Sequence, residues 1–403
     1  MRFSFLGPGR RHPLILFVIT LVLSASAWGQ AKYKILHSFT GGSDGGNPII
    51  FAALATDNTG NLYGATYYGG TGCGGEGCGV VFQMSRSADH WNERVLFDAT
   101  DPRTQGYFDS PLTVDSEVDL YGCAADGPMF ELMPGAPQWT YNPIWPSGCA
   151  GPVGLTVDGA SNIYGEIGSD FNGDIGELSP SSNGWVYTKL YEFCPSGQNC
   201  RDGIEPLAPF SWDSKGNLYG TTYYGGGPKC SCGVAFRMTP NGDGTWAYHV
   251  LHRFSGGADG YYPYGSLTVD ASGAAYGTTT HGGPHGNGNV FKLTPSNGQW
   301  KLTVLYGFPN ENNGLAPGND LVFDKAGNLY GIAGSTACGG ACGLVFKLSP
   351  QKNDKWKYTV LHQFYLTDGD YPNGLTMDSQ GHLYGTTHAG GKYRYGVVFE
   401  ITP

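Results

Sequence analysis

Charged residues are scarce in this chain: they make up 14% of its 403 residues, and Asp and Glu outnumber Lys and Arg by 33 to 23. The resulting formal charge of −10 disfavours nucleic acid and anionic membrane surfaces as partners, because both attract a basic face. Long helices are not favoured either, since 66 glycines and 26 tyrosines suit short strands joined by tight turns. Beyond the first 31 residues the sequence has no long apolar run, so we expect no transmembrane segment in the mature chain.

The first 31 residues have the order of a secretory signal peptide. Two arginines precede an apolar run from Leu14 to Leu23, and small residues follow up to Ala31. The apolar run is shorter than the roughly 20 residues that span a bilayer. We expect cleavage after Ala31, with Ala27 as the alternative, and a location outside the cytoplasm, either secreted or in the cell envelope.

Ten cysteines suit an oxidising compartment, and eight of them fall into four close pairs. We expect disulfides within these pairs and one between the two remaining cysteines, although the sequence does not fix the connectivity. A bridge that closes so short a loop contributes about 2 kcal/mol by the chain-entropy argument. Cys230 and Cys232 are the doubtful pair, because a single residue separates them. The expected pairs are Cys73–Cys78, Cys123–Cys149, Cys194–Cys200, Cys230–Cys232 and Cys338–Cys342.

The stretch from Asp213 to Gly220 recurs along the chain in seven copies that all end in Tyr-Gly. The final glycines lie roughly 43 to 58 residues apart, which is typical of a repeat array or a propeller. We interpret the Asp as the cap of a turn between two strands, the Gly as a residue of positive φ, and the Tyr as a packed ring with a bonded hydroxyl. The other copies are Asp57–Gly64, Asp115–Gly122, Asp158–Gly165, Asp270–Gly277, Asp324–Gly331 and Asp378–Gly385.

Residues 265–308 indicate the structure of one repeat. Apolar and alternating runs predict four short strands, separated by two tight turns and a glycine-rich loop. Four antiparallel strands repeated about a centre form a propeller blade. The chain starts with a fourth-strand sequence at 33–39 and finishes with a third strand, so the N-terminal strand should seal the ring and leave no open edge.

We therefore predict an all-β fold, a closed seven-bladed β-propeller of four-stranded antiparallel blades. Residues 1–31 are the signal peptide, 32–403 form one propeller domain, and 32–39 supply the outer strand of the last blade. An open solenoid is the alternative, but it would leave the extra strand unexplained.

Several motifs resemble the GloVer tandem-repeat family of bacterial exported proteins. They are Gly216–Thr222, Gly225–Gly226, Val290–Pro295 and Val360–Phe364. The resemblance covers almost all of the mature chain. It implies bacterial secretion or surface display, in some members with an interchangeable C-terminal anchor that we do not expect here, and it implies no catalytic residue. The segment Gly154–Tyr164 also looks like a blade of an NHL-type propeller.

We expect binding residues on one face of the ring. Loops between the second and third strands share that face with the links between blades, and loops on a rigid scaffold often carry function. Blades two, three and six depart from the pattern, so blades one, four, five and seven should form the walls of a site. Rings at the end of the second strand suit stacking on sugar or peptide, although simple packing against neighbouring loops is the commoner outcome. The candidate ligand-binding residues are Tyr67, Tyr68, Tyr223, Tyr224, His281 and His388.

The links between blades carry a repeated Asp-Gly-x-x-Pro motif. A ring of carboxylates around a channel could hold calcium, which prefers oxygen ligands. Asp-Gly is also a favoured turn pair, so we prefer the turn interpretation and otherwise expect no cofactor. The motif carboxylates are Asp44, Asp202, Asp259 and Asp368.

No nucleophile elbow, phosphate loop, dinucleotide fingerprint or zinc spacing occurs in the sequence. We therefore expect a monomeric exported scaffold that binds a saccharide or a protein on the long-loop face. The alternative is a propeller-type extracytoplasmic enzyme, such as a metal-assisted hydrolase, a lactonase or a polysaccharide lyase. Its catalytic groups would be non-repeated side chains such as Glu76, His285 or Asp370.

Overall fold

The computed structural model describes residues 31–403 except 76, 89, 102–104, 106, 126, 137, 147–153, 168–172, 310–315 and 335–341. The predicted signal peptide, apart from Ala31, lies outside the described residues, and so do Cys149, Cys338 and Glu76. Residues Ala31–Pro403 form one compact unit. Within the described part of the chain, no helix is long and apolar enough to cross a membrane.

The described chain folds into seven antiparallel sheets, and each sheet is one blade. Strand β1 (Lys32–Ser38) belongs to the last blade. Blade 1 contains β2 (Gly46–Pro48), β3 (Ala55–Thr56), β4 (Leu62–Tyr68), β5 (Val80–Ser87) and β6 (His90–Asp98). Blade 2 contains β7 (Tyr107–Phe108), β8 (Thr113–Val114), β9 (Leu120–Ala125), β10 (Met129–Met133) and β11 (Thr140–Trp145). Blade 3 contains β12 (Thr156–Val157), β13 (Ile163–Glu166), β14 (Asp174–Ser181) and β15 (Gly184–Glu192).

The remaining four blades repeat this order. Blade 4 contains β16 (Ser211–Trp212), β17 (Leu218–Thr222), β18 (Val234–Pro240) and β19 (Trp246–Arg253). Blade 5 contains β20 (Thr268–Val269), β21 (Ala275–Thr279), β22 (Gly286–Ser296) and β23 (Gln299–Pro309). Blade 6 contains β24 (Ala316–Pro317), β25 (Val322–Phe323), β26 (Leu329–Gly334), β27 (Leu344–Pro350) and β28 (Trp356–Gln363). Blade 7 contains β29 (Asp370–Met377), β30 (Leu383–Ala389), β31 (Val397–Thr402) and β1.

The first strands of successive blades are bonded to one another, which places them at the inner edge of the ring. The Thr156 hydroxyl donates to the carbonyl of Phe210 at 2.7 Å, between blades 3 and 4. The Gly374 amide donates to the carbonyl of Ala52 at 3.1 Å, between blades 7 and 1. Each blade therefore runs outward from its first strand to its fourth.

Strand β1 closes the ring, as the sequence predicts. It pairs antiparallel with β31 from Lys32 opposite Thr402 to Ser38 opposite Val397. The Tyr33 ring also stacks on His362 of blade 6 at 3.8 Å, and its hydroxyl donates to the Asp368 carbonyl at 2.7 Å. The all-β, closed seven-bladed architecture is confirmed.

The repeated Asp holds the turn between the first two strands of every blade. In blade 4, Asp213 accepts hydrogen bonds from the amides of Lys215 and Asn217 at 2.8 and 2.9 Å. Across the seven blades the Tyr hydroxyl donates to the same carboxylate at 2.8 to 3.2 Å. Burial alone would raise the pKa of Asp213, but its hydrogen bonds from Asn217, Lys215 and Tyr219 lower that pKa below its usual value. The structural interpretation of the Asp and the Tyr is confirmed.

The glycine of each Tyr-Gly pair makes room for the core. A Cβ at Gly220 would lie 2.6 Å from the ring of Phe236 on the neighbouring strand β18. The same clash recurs between Gly64 and Phe82 of blade 1, at 2.5 Å. This packing requirement explains why the frame always ends in glycine.

The turn before the second strand requires a left-handed residue, and blade 2 fills it with valine. The equivalent glycines Gly216 and Gly381 have φ of 76° and 90°, whereas Val118 adopts a φ of 72°. A β-branched residue is strained in that region, and glycine is not.

We expect Val118→Gly to raise the free energy of unfolding by about 1 kcal/mol, measured by chemical denaturation. The matched control is Glu117→Gly at the neighbouring exposed position, where glycine should bring no gain. Equal losses of stability in both variants would show that the turn carries no strain at Val118.

Candidate functional site

Links between blades are bonded to the ends of second strands in the described part of the chain, which gathers both on one face. In blade 4 the backbones of Ile204 and Tyr224 exchange hydrogen bonds of 3.1 and 3.2 Å. In blade 5 the backbones of Tyr261 and His281 do the same at 2.9 and 3.3 Å. We call this side of the ring the loop face.

Six aromatic side chains meet on the loop face at the junction of blades 4 and 5. Tyr262 lies at their centre: its ring stacks on Tyr223 at 4.8 Å and contacts Tyr224 edge-on at 5.1 Å. The His281 ring lies 5.7 Å from Tyr262. The members of this aromatic cluster are Tyr223, Tyr224, Tyr261, Tyr262, Tyr264 and His281.

Phe51 joins this cluster from the other side of the ring. It lies between β2 and β3 of blade 1, its ring centroid is 4.5 Å from that of Tyr264, and 47% of it is exposed. Blades 1 and 5 are not neighbours in the ring, so Phe51 reaches across the centre. Sequence reasoning missed this residue, although it lies in a continuous apolar run from Ile49 to Ala55, which was an available signal.

The other three candidate binding residues lie at different junctions. Tyr67 stacks on Tyr107 at 5.5 Å between blades 1 and 2, with Tyr68 edge-on at 4.8 Å. His388 lies between blades 7 and 1, where its Nδ1 donates to the Pro48 carbonyl at 2.9 Å. Burial lowers the pKa of His388, so its ring is neutral at pH 7. The structure thus brings Tyr223, Tyr224 and His281 together and leaves Tyr67, Tyr68 and His388 apart.

One position of the link motif is left-handed in four blades, although no glycine occupies it. The fourth residue of Asp-Gly-x-x-Pro has φ between 52° and 59° in Asn47, Glu205, Tyr262 and Tyr371. Such a conformation costs about 1 to 3 kcal/mol for a non-glycine residue. It directs the side chain onto the adjoining blade, as Tyr262 packs on Tyr223 and Asn47 donates to the His388 carbonyl at 3.1 Å. The chemistry of this position changes from blade to blade.

The first residue of the same motif, Asp, is bonded within its own link. Asp259 accepts from the Ser255 amide at 2.9 Å and contacts Nε2 of His252 at 3.0 Å. Asp44 and Asp368 bond their own links and a histidine in the same way. Asp202 accepts from the Cys194 amide at 3.0 Å and from the Tyr191 hydroxyl at 2.9 Å.

This geometry favours the turn interpretation of the motif. The partner histidines belong to fourth strands, so these carboxylates lie towards the outer edge of the blades. No cluster of three or more His, Cys, Asp or Glu able to hold a metal occurs among the described residues. A calcium site at Asp44, Asp202, Asp259 and Asp368 stays a prediction.

Disulfides close loops on the same face. The structure contains Cys73–Cys78, Cys194–Cys200 and Cys230–Cys232, with Cα separations of 5.6, 4.7 and 5.1 Å. These three predicted pairs are confirmed, including the doubtful one. Cys123 and Cys342 are also disulfide-bonded, and their predicted partners lie outside the described residues.

A buried carboxylate at the end of β13 was also missed by sequence reasoning. Glu166 is 3% exposed, and its Oε2 has no hydrogen-bond partner. Burial, with the nearby carboxylates of Glu205 and Asp174, raises the pKa of Glu166 to about 8. The equivalent positions in blades 4 and 5 hold Thr221 and Thr278, so the carboxylate is peculiar to blade 3.

Two grooves lie away from these residues. A groove of about 930 Å³ runs between blades 5 and 6 beside Asp270 and Asp324, on the side of the short turns. A similar groove of about 570 Å³ lies between blades 6 and 7. Because the groove repeats at successive junctions with the same residue types, we attribute it to the blade architecture. On the loop face, two cavities of about 370 and 500 Å³ adjoin blade 4.

A closed ring of seven four-stranded blades, with its variable aromatic loops collected on one face, defines a seven-bladed β-propeller. Residues 227–403 match the family model described as the Gloeobacter/Verrucomicrobia repeat. The predicted family resemblance is thereby confirmed. The comparison with curated proteins gave no match.

Solved structures share the fold at low sequence identity. YCF48 from Cyanidioschyzon merolae is 12% identical, with a TM-score of 0.56, and the similarity covers 92% of this chain and 98% of that one. A structure of YCF48 bound to D1 peptide is 12% identical, with a TM-score of 0.53 and coverage of 93% and 96%. A putative 6-phosphogluconolactonase from Bacteroides uniformis is 13% identical, with a TM-score of 0.51 and coverage of 78% and 86%.

Proposed function

We propose that this propeller is an exported binding scaffold whose loop face takes up a saccharide or protein ligand. The observation that carries the proposal is the aromatic cluster at blades 4 and 5, which Phe51 extends across the ring. Tyrosine rings present a flat apolar surface with a polar edge, and both sugar rings and peptides stack on such surfaces. Four of the rings come from outside the predicted set, so the contact area exceeds what the sequence alone indicates.

The cost of building the cluster supports a binding role. Tyr262 adopts a φ of 57°, a conformation in which tyrosine is strained, and its ring holds the centre of the cluster. Strained residues of this kind concentrate at functional sites. A stable core needs no tyrosine here, because Asn47 fills the equivalent position in blade 1.

Rigid loops support the same proposal. Two disulfides, Cys194–Cys200 and Cys230–Cys232, close the loops that adjoin the cluster. Loops that are already ordered lose little conformational entropy when a ligand binds, which favours affinity. The disulfides also agree with the exported location that residues 1–31 predict. The fold itself is compatible with a peptide ligand, as the structure of YCF48 bound to D1 peptide illustrates for that protein.

The test is a binding screen of residues 32–403 against a glycan array and a displayed random-peptide library. We expect binders in one of the two, and Tyr262→Asn should weaken them by about tenfold or more. Asparagine tolerates the left-handed conformation, so the loss would come from the ring and not from the backbone.

The matched control is Tyr371→Asn, which changes the same link position outside the cluster and should leave affinity unchanged. The proposal fails if neither collection yields a binder, or if Tyr262→Asn binds as tightly as the wild type.

A further inference from the structure

Three cations surround one cavity on the loop face of blade 4. The cavity measures about 500 Å³, and Arg201, Lys229 and Arg253 line it together with the backbone of Gly226 and Gly227. No acidic side chain is among its lining residues. In a chain with a formal charge of −10, this is a local reversal of sign.

Three separate segments bring these cations together. Arg201 follows the disulfide-closed loop Cys194–Cys200, Lys229 precedes the disulfide of Cys230, and Arg253 ends β19. The Gly226 amide donates to the Cys200 carbonyl at 2.8 Å and joins the first two segments. The cavity is therefore framed by cross-linked loops.

The cationic groups are oriented but not neutralised. Nε of Arg253 donates to the Arg201 carbonyl at 2.9 Å, which fixes that side chain. Its two Nη groups have no hydrogen-bond partner among the residues that the structure describes. The Arg201 guanidinium and the Lys229 ammonium have no hydrogen bond or ion pair to the described residues. The neighbouring carboxylate of Asp202 is already bonded to Tyr191 and Cys194.

The repeat itself does not require these cations. Arg253 directly follows the histidine of its fourth strand, and the equivalent residues are Ser38 in β1 and Gln363 in β28. Arg201 directly precedes the Asp of its link motif, and the equivalent residues in other links are Ser43 and Ala258. Both cations are therefore specific to blade 4, where like charges repel one another until an anion enters.

We infer that this cationic pocket binds the oxyanion of an acidic saccharide, a carboxylate or a sulfate group. An arginine fork donates two parallel hydrogen bonds to a planar oxyanion, and charge-assisted hydrogen bonds are stronger than neutral ones. The inference rests on the proposed function, because the loop of Lys229 directly follows Tyr223 and Tyr224 of the aromatic cluster. A sugar stacked on the cluster can therefore extend its acidic group towards the pocket.

The test measures calorimetric affinities of residues 32–403 for four probes at 20 mM NaCl. Three are saccharides: oligogalacturonate, its methyl ester as the neutral match, and a sulfated chondroitin oligosaccharide. The fourth is inorganic sulfate at matched ionic strength, which tests the bare anion. The variant is Arg253→Gln with Lys229→Gln, and the control is Lys352→Gln with Lys355→Gln on a distant turn. Arg253→Lys keeps the positive charge but removes the guanidinium fork, so its affinity shows whether binding needs the fork or only the charge.

We expect at least one acidic saccharide to bind more tightly than the neutral ester, and salt to weaken it. The pocket variant should lose about tenfold in affinity, and the control should stay within about twofold. The proposal is overturned if no anionic probe binds, if the ester binds equally well, if inorganic sulfate binds but neither acidic saccharide does, or if the pocket variant matches the control. If Tyr262→Asn keeps the acidic ligand while the pocket variant loses it, the pocket stands and the aromatic site fails.

Discussion

Removal of residues 31–39 should open the ring and lower the free energy of unfolding by about 5 kcal/mol or more. The deletion strips β31 of its antiparallel partner and removes Tyr33, whose ring stacks on His362 of blade 6 at 3.8 Å. The exposed edge of β31 would then pair with other chains. Thermal unfolding and size-exclusion chromatography should show a midpoint lower by about 10 °C or more, together with oligomers.

A peptide can serve as the control for this deletion. A synthetic peptide of residues 31–40, added to the truncated chain, should restore the monomer and part of the midpoint by adding a strand to the free edge. A scrambled peptide of the same composition should do neither. A truncated chain that stays monomeric with an unchanged midpoint would show that β1 is dispensable for closure.

Replacement of Glu166 by Gln should stabilise the propeller, and the gain should grow with pH. Burial, then Glu205 and Asp174, raise the pKa of Glu166 from its ordinary 4.5 to about 8. Lys189 does not offset this, because it pairs with Asp174 at 2.9 Å. Folding favours the protonated acid, so its contribution is fully favourable below pH 4.5 and is lost as pH rises towards 8. We expect a gain of about 3 kcal/mol at pH 8 and almost none at pH 4.

Denaturation of both chains at several pH values tests this expectation. The control is Asp354→Asn, an exposed carboxylate on the turn before β28, whose loss should leave the pH profile unchanged. If Glu166→Gln changes stability equally at pH 4 and pH 8, the pKa of Glu166 is the same in the folded and the unfolded chain, and the pKa argument fails.

The fold could be predicted from the sequence because each repeat carries the local pattern of a blade. The seven Asp–Tyr frames predict the same turn, and the fourth-strand motif at 33–39 predicts the closing strand. These are local patterns whose partners sit at fixed offsets, so a single chain reveals them. The core role of Gly220 was missed, because it depends on Phe236 in another strand.

The candidate site was only partly predictable for the same reason. The aromatic residues after the second strands were visible, and the placement of Tyr223, Tyr224 and His281 on one face followed from strand direction. Which rings meet depends on the ring geometry and on the left-handed backbone of Tyr262, which the sequence does not encode locally. Phe51 reaches Tyr264 across the centre, a contact between residues more than 200 positions apart.

The pairing of β1 with β31 also sets the order of events during synthesis. Lys32 leaves the ribosome about 370 residues before its partner Thr402, so the closing ladder cannot form until the strands of all seven blades have been made. Contacts so distant in sequence are slow to form, because loop-closure entropy opposes them. Until then the chain has two unpaired edges that can capture other chains. Protein concentration should therefore affect the yield of folding more strongly than it affects the stability of the folded chain.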